Sequence, residues 1–415
     1  MVVLLVIAVV VGLYMAWNIG ANDVANSMAN AVGSRSLSLP AAIILAALCE
    51  FSGAVLVGSH VTDTIRKGIV DPQAFIDQPG LLAHGMVCAM LGAGVWLNLA
   101  TYLGMPVSTT HSIVGAVIGF GLVHAGFRSI YWGKLGQIVA SWFISPILGA
   151  ALAYVVFRLI TRYILAQDQP IRAARRGVPA MVFFAAVAII LAILYRGLEN
   201  LHLNLSAGLA LTCSVAGGLV CALAAGLLIR RRGAAHLHLP LEQQLHQIER
   251  MFIPPVILSS CTVAFAHGAN DVANAVGPLA AVIDLIRRGA VSTQSVPVET
   301  WVLVLGGVGI VLGLATFGYR VMRVLGTQVT EITPSRGMAA DLATMVTVLG
   351  CSKLGLPIST THTLVGAVLG VGLARGITAI NARVVRAIFS SWGATVPLSA
   401  LLTIIFFLLD RWFFW

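Results

Sequence analysis

The sequence predicts an all-α integral membrane protein of about twelve transmembrane helices, built as two inverted-topology repeats with interrupted or re-entrant helices at a central site. Three observations predict it. The composition is too apolar for a water-covered surface, several uncharged runs are long enough to cross a bilayer, and two polar motifs each occur twice in the same order.

Of the 415 residues, 59% are hydrophobic and 10% charged, whereas soluble domains carry about 25% charged residues. Runs such as 178–195, 207–229 and 388–409 reach the roughly 20 residues that a helix needs to span hydrocarbon. The net charge is +10, but the cations sit in short segments between apolar runs. That is the positive-inside pattern of a membrane protein, not a nucleic-acid surface. The six cysteines (Cys49, Cys88, Cys213, Cys221, Cys261, Cys351) form no CxxC, and most lie inside apolar runs. They read as small buried residues, with no cofactor or disulfide framework implied. The apolar stretch Met1–Trp17 has no basic n-region and leads straight into a polar motif, so it is expected to be the first membrane helix.

Residues 18–29 (NIGANDVANSMA) return at 266–277 as AHGANDVANAVG, and 106–119 (PVSTTHSIVGAVIG) return at 357–370 as PISTTHTLVGAVLG. A third echo pairs Ser141-Trp142 with Ser391-Trp392 and Pro146 with Pro397. The near-constant offset divides the chain into repeat 1 (1–160), a linking segment (161–250) and repeat 2 (251–415). The link carries two scaffold helices at about 178–196 and 203–229, followed by a polar cytoplasmic segment, 230–250, expected as an amphipathic surface helix. Arg172, Arg175 and Arg176 precede the pair and Arg230, Arg231 and Arg232 follow it, while the turn between holds only Arg196 and Glu199. Both clusters are therefore assigned to the cytoplasm. Five crossings per repeat, at 2–21, 39–59, 80–102, 107–123 and 139–160 in the first, invert the second repeat and leave both termini extracytoplasmic.

Each repeat carries a motif that a membrane tolerates poorly: Asn22-Asp23-Val24-Ala25-Asn26 and Asn270-Asp271-Val272-Ala273-Asn274. A carboxylate at bilayer depth must be paired or face a wet cavity. The glycine before each pair, Gly20 or Gly268, is expected to interrupt the helix, and the Asn and Asp oxygens suit a hard alkali cation, sodium above all. A proton on either aspartate is the alternative. The second motif places Ser108, Thr109 and Thr110, or Ser359, Thr360 and Thr361, after Pro106 or Pro357 at the head of an apolar run. A helix starting there presents free N–H groups, a positive dipole end and three hydroxyls to an anion. His111 and His362 are expected to orient these turns, while Gly115/Gly119 and Gly366/Gly370 allow close packing behind them.

Two anion-binding helix ends beside Asp23 and Asp271 imply symport, because a dianion next to two carboxylates needs cations between them. Carrying a dianion into a cell at about −100 mV costs about 4.6 kcal/mol, which two monovalent cations cancel. Glu50 and Asp341 also lie in apolar stretches and are candidates for a gate or second ion site. Asp63, Asp71 and Asp77 beside Arg66 and Lys67 read as a solvated loop, and Asn204-Leu205-Ser206 is a weak glycosylation match in the outer turn.

With GANDVAN and P-[VI]-S-T-T-H each present twice, the chain resembles the inorganic phosphate transporter (PiT) family over nearly its whole length. The resemblance implies sodium- or proton-coupled uptake of inorganic phosphate and a homodimer formed through scaffold helices. It gives Asp23 and Asp271, with Asn22, Asn26, Asn270 and Asn274, to the ion and phosphate site, and the six hydroxyl residues to phosphate oxygens. It also puts Glu50 at a functionally important acid, with Asp341 as the matching acid of repeat 2. The GANDVAN form is closer to sodium-coupled members, and the short central loop to a prokaryotic protein in the plasma or inner membrane.

Sulfate is the main rival cargo, since the motifs offer no Arg or Lys clamp to separate the two anions. Phosphate is favoured because its proton can be donated to an aspartate. An enzyme using Ser108, His111 and Asp23 is set aside because a catalytic site seldom needs two copies of each element. A passive channel leaves the paired aspartates unexplained.

Overall fold

A computed structural model describes residues 2–59, 69–194, 205–233, 240–291, 298–327, 329–353 and 358–414. Among them lie fifteen α-helices and one isolated bridge, Val70 to Ile130, with no named strand. The first half contains α1 (Val2–Gly33), α2 (Leu39–Val57), α3 (Pro79–Tyr102), α4 (Thr109–Ala125) and α5 (Trp132–Ile160). Next come α6 (Pro170–Ala192), α7 (Ala207–Gly233) and α8 (Leu241–Met251). The second half holds α9 (Ile253–Asp271), α10 (Ala273–Arg288), α11 (Thr300–Thr316), α12 (Tyr319–Thr327), α13 (Pro334–Lys353), α14 (Thr360–Arg375) and α15 (Ala382–Phe414).

Eight segments are long and apolar enough to cross a bilayer, the stretch Leu241–Arg288 counting as one. The helices Thr109–Ala125 and Thr300–Thr316, of 17 residues each, are too short to count. At 1.5 Å per residue each is about 26 Å long, less than a hydrocarbon core of about 30 Å. All six cysteines are free. Pro357, Asn204, Arg196, Glu199, Asp63, Arg66 and Lys67, named above from sequence, lie outside the described residues.

Sequence punctuation sets many of the helix boundaries. Pro79 and Pro170 stand in the first turns of α3 and α6, where a missing N–H costs nothing. Gly289, left-handed at φ 65°, closes α10 by returning its N–H to the Leu285 carbonyl. Helix α6 starts earlier than the apolar run alone implied, so Arg172, Arg175 and Arg176 lie in its opening turns. The polar segment before residue 251 forms α8, whose Ile248 and Met251 are buried. Its Glu249 carboxylate accepts from Ser335 N at 2.9 Å and from the Thr333 and Ser335 hydroxyls, tying α8 to the start of α13.

The halves exchange partners. Helix α5 packs on α13 and α14, and α15 on α3 and α4; α1 packs on α11 and α12, and α9 on α2. Glycines make the tightest crossings. A Cβ on Gly115 or Gly119 would sit 2.6 Å from the Val396 or Ala400 carbonyl oxygen of α15. A Cβ on Gly366 or Gly370 would sit 2.2 or 2.1 Å from the Pro146 or Ala150 oxygen of α5.

The expected interruption at the glycine before Asn-Asp is not what these glycines do. Helix α1 runs unbroken through Gly20–Asn26. In the second copy the helix pauses at Val272, beyond Asp271, with Pro278 four residues after Asn274 and unable to donate to its carbonyl. Gly20 and Gly268 instead allow two helix backbones to touch. A Cβ there would lie 1.9 Å from the Ile310 oxygen of α11, or 2.1 Å from the Glu50 oxygen of α2.

Candidate functional site

The heads of α4 and α14 meet the middle of α1 and the end of α9. Ser108 and Ser359 cap the two short helices, each accepting from the backbone N–H three residues on, His111 at 3.2 Å and His362 at 3.1 Å. Each helix thus starts one residue after its hydroxyl run begins, at Thr109 and at Thr360.

Those threonines donate to the two aspartates. Thr109 Oγ1 reaches Asp23 Oδ2 at 2.8 Å, and Thr360 Oγ1 reaches Asp271 Oδ2 at 2.8 Å. Thr361 Oγ1 crosses from the second half to Asp23 Oδ1 at 3.1 Å. The amide of Asn26 donates to Asp23 Oδ1 at 2.9 Å and to Thr361 at 2.8 Å. The amide of Asn274 donates to Asp271 Oδ1 at 3.1 Å, and across the centre to Thr109 at 3.1 Å and Thr110 at 3.3 Å. Asn270 donates to Asp271 Oδ1 at 3.0 Å. The amide oxygens of Asn26 and Asn270 are buried with no hydrogen-bond partner, which leaves two hard oxygens beside two carboxylates.

Asn22 is engaged differently. Its oxygen accepts Val107 N–H at 3.1 Å and its amide donates to Thr101 at 2.8 Å and to the Met105 carbonyl at 3.1 Å. It pins the strand of chain that leads into α4. His111 and His362 stand behind the threonines, their ring centroids 4.3 Å apart. Each lies against a tryptophan of the third echo, His111 tilted against Trp142 at 3.6 Å between ring centroids and His362 stacked on Trp392 at 3.5 Å. Pro146 cannot donate to the Trp142 carbonyl four residues back, and His362 Nδ1 lies 3.3 Å from that oxygen.

His267 had no role assigned from sequence. Its Nε2 lies 3.0 Å from Asp271 Oδ2 and 3.6 Å from Asp23 Oδ2, and its Nδ1 3.3 Å from Glu50 Oε2. Glu50 is held by Ser27 Oγ at 2.9 Å. The signal was present, since a histidine four residues before Asp271 lies on the same helix face. One ligand atom each from Asp23, His267 and Asp271 fall within 4.8 Å of one another. The Asn, Asp, Ser, Thr and His side chains of the two motifs, with His267 and Glu50, are all buried, none more than 4% exposed.

Asp341 does not pair with Glu50 across the repeats. Gly20 abuts Ile310 where Gly268 abuts Glu50, so the position matching Glu50 is Ile310. Asp341 stands on α13 in its own polar cluster, accepting from Asn30 at 2.6 Å, Ser260 at 2.6 Å and Ser259 at 3.1 Å. Its link to the repeat-1 acid, expected from the resemblance, is corrected by this register.

Two buried carboxylates, hydroxyl-bearing helix heads and several apolar spans define a polytopic helical membrane protein with a buried polar centre. The description of the phosphate transporter family matches residues 19–403. The chain is 44% identical to the "Putative phosphate permease" of Pyrococcus abyssi, over 97% of each chain. It is 42% identical to the "Inorganic phosphate transporter 2-1, chloroplastic" of Arabidopsis thaliana, over 95% of this chain and 70% of that one. A solved structure described as the sodium-dependent phosphate transporter superposes with a TM-score of 0.90 at 39% identity, covering 99% of this chain and 100% of the other. The chain belongs to the phosphate transporter family, a class of membrane permeases and not of enzymes.

Proposed function

We propose that this protein imports inorganic phosphate by symport with sodium, using Asp23 and Asp271 as the shared centre of two inverted repeats. The observation that carries the reading is the crossed network: Thr361 of one half bonds Asp23 of the other, and Asn274 bonds Thr109 and Thr110. Phosphate would be held by the N–H groups and hydroxyls of Ser108, Thr109 and Thr110 and of Ser359, Thr360 and Thr361. Sodium would be held by the oxygens of Asp23, Asp271, Asn26 and Asn270, with Asn22 and Asn274 holding the frame. A dianion placed between two carboxylates in a buried site needs those cations, which couples the two fluxes.

The likeness to a sodium-dependent transporter supports sodium over protons. Proton coupling is the second reading, favoured by a histidine set among three carboxylates. Twelve passages, in repeats 1–160 and 251–415 joined by 161–250, would bring both termini to the outside of the plasma or inner membrane. The partner exchange of the two halves supports that division. Helices α6 and α7, which pair with one another and expose Phe184, Leu219, Val220 and Leu223, would serve as the homodimer scaffold. Glu50 and Asp341 remain candidates for the gate or second ion site.

The test is uptake of radiolabelled phosphate by reconstituted vesicles under an inward sodium gradient or an inward proton gradient, with Asp23→Asn and Asp271→Asn alongside. Sodium-driven accumulation, lost in both variants, is expected. Accumulation driven by protons alone would overturn sodium coupling.

A further inference from the structure

Helix α8 separates two cavities. One, of about 870 Å³, is polar and lies between α8, the end of α1, the loop 329–334 and the hairpin tip 378–381. The other, of about 420 Å³, is largely apolar and lies between α7 and the bend from α8 into α9. Ala225, Leu228 and Ile229 form one wall of this slot, and Met251, Pro254 and Pro255 the other. Among the described residues, Arg250 alone lines both cavities.

The polar cavity favours negative charge. Arg35 and Arg250 line it, and among the described residues neither is in an ion pair. Its two carboxylates are already engaged, Glu249 by Thr333 and Ser335, and Glu331 by Arg336 and Arg375. With those partners counted, four arginines stand against two glutamates, which leaves two positive charges in excess.

We propose that the paired cavities hold one anionic phospholipid of the cytoplasmic leaflet, with an acyl chain in the slot against α7 and the headgroup phosphate on Arg250 and Arg35. An amphiphile needs an apolar slot and a cationic pocket that meet, and Arg250 is where these two meet. The level is right, since α7 ends in Arg230-Arg231-Arg232 and α8 follows it, which assigns this face to the cytoplasm. Basic pockets beside transmembrane helices on that side suit anionic headgroups. Leu228, which lines the slot, is 52% exposed and Leu227 beside it 60%, so the slot borders an apolar outer face.

Two other occupants fit less well. A free anion such as inorganic phosphate uses the polar cavity but has no use for the slot. A second copy docked about a two-fold axis through this groove brings Arg250 against its own counterpart, like charge on like. A lipid seated here bridges α7 and α8, and α8 is bonded through Glu249 to the head of α13. It would thereby fasten the scaffold helices to the second half of the chain. The inference is separate from the choice of sodium or protons as the driving ion.

The test uses the full chain purified in detergent and incubated with equal amounts of phosphatidylglycerol and phosphatidylcholine bearing the same acyl chains. Native mass spectrometry then counts the lipids retained. One phosphatidylglycerol per chain should be held in preference to phosphatidylcholine. Arg250→Gln should cut that preference about fivefold, and Arg35→Gln combined with it about 25-fold, at about 1 kcal/mol per arginine. Ala225→Phe, which fills the slot without touching a charge, should lose both lipids. Both arginines are exposed, so their variants decide the matter if the filled slot disturbs folding.

No preference in wild type, or a preference unchanged in the double variant, would overturn the proposal. Arginine-dependent binding of labelled inorganic phosphate, with lipid retention untouched by Ala225→Phe, would assign the polar cavity to a free anion instead. Lipid-free paired chains that Ala225→Phe splits into single ones would assign the slot to a second copy. Either result also overturns the lipid reading.

Discussion

Replacing Gly20 or Gly268 by alanine isolates the close helix crossings on which the site is built. The new Cβ would lie 1.9 Å from the Ile310 oxygen in the first case and 2.1 Å from the Glu50 oxygen in the second. Non-bonded heavy atoms settle at about 3.5 Å, so each pair of helices must part by an ångström or more. Backbone cannot step aside as a side-chain tip can, and overpacking of this kind costs about 1–3 kcal/mol or more. Gly133 and Gly136 of α5 are the controls, since a Cβ there meets nothing within 4 Å. Alanine at these helical positions should stabilise by about 0.5–1 kcal/mol through propensity alone. The assay is thermal unfolding followed by size-exclusion of detergent-solubilised protein, with phosphate uptake on the surviving fraction. Gly20→Ala and Gly268→Ala should melt well below wild type, and Gly136→Ala at or above it. Because Asp23 and Asp271 each stand three residues beyond the shifted glycine, Gly20→Ala and Gly268→Ala should both alter the sodium dependence of uptake, and Gly136→Ala should not. Wild-type melting of both crossing variants would refute the packing argument.

Thr109→Val and Thr360→Val keep shape but take a charge-assisted donor from Asp23 or Asp271, worth about 1.5–3 kcal/mol. Both should melt lower in sodium-free buffer, and Thr109→Val lower still, because Asn274 also donates to that hydroxyl; equal melting of Thr109→Val and wild type would contradict the network. At the surface, hydrogen bonding and charge from Arg336, aided by Arg375, hold the Glu331 carboxyl below the usual glutamate range. Its contribution to stability is thus complete above the ordinary value of about 4.3 and is lost as pH falls through the lower folded value. The melting difference between Glu331→Gln and wild type should therefore be small and constant from neutral pH down to that range, then vanish; a difference that grows with acid would reverse the assignment.

Much of the site was legible because its chemistry is local in sequence. The Asn-Asp motifs and the Ser-Thr-Thr runs are each polar residues packed into a few positions of an apolar chain, and the structure brings all four together. The glycines were misread for a physical reason. A glycine before a polar pair can break a helix or admit a neighbouring backbone, and only the neighbour, Ile310 or Glu50, tells which. The same crossing register reassigned Asp341, which looks like the counterpart of Glu50 when counted along the chain but belongs to α13 and the Asn30–Ser260 cluster. His267 escaped notice because two of its three carboxylates, Asp23 and Glu50, come from other helices, and only Asp271 lies one turn along its own.

The central claim is that one site binds phosphate and sodium together. The most direct measurement follows labelled sodium and labelled phosphate into the same reconstituted vesicles under an inward sodium gradient. The account predicts that phosphate entry carries sodium at a fixed ratio, that removing either species stops the flux of the other, and that Asp23→Asn abolishes both. Phosphate accumulation with no accompanying sodium entry would contradict it.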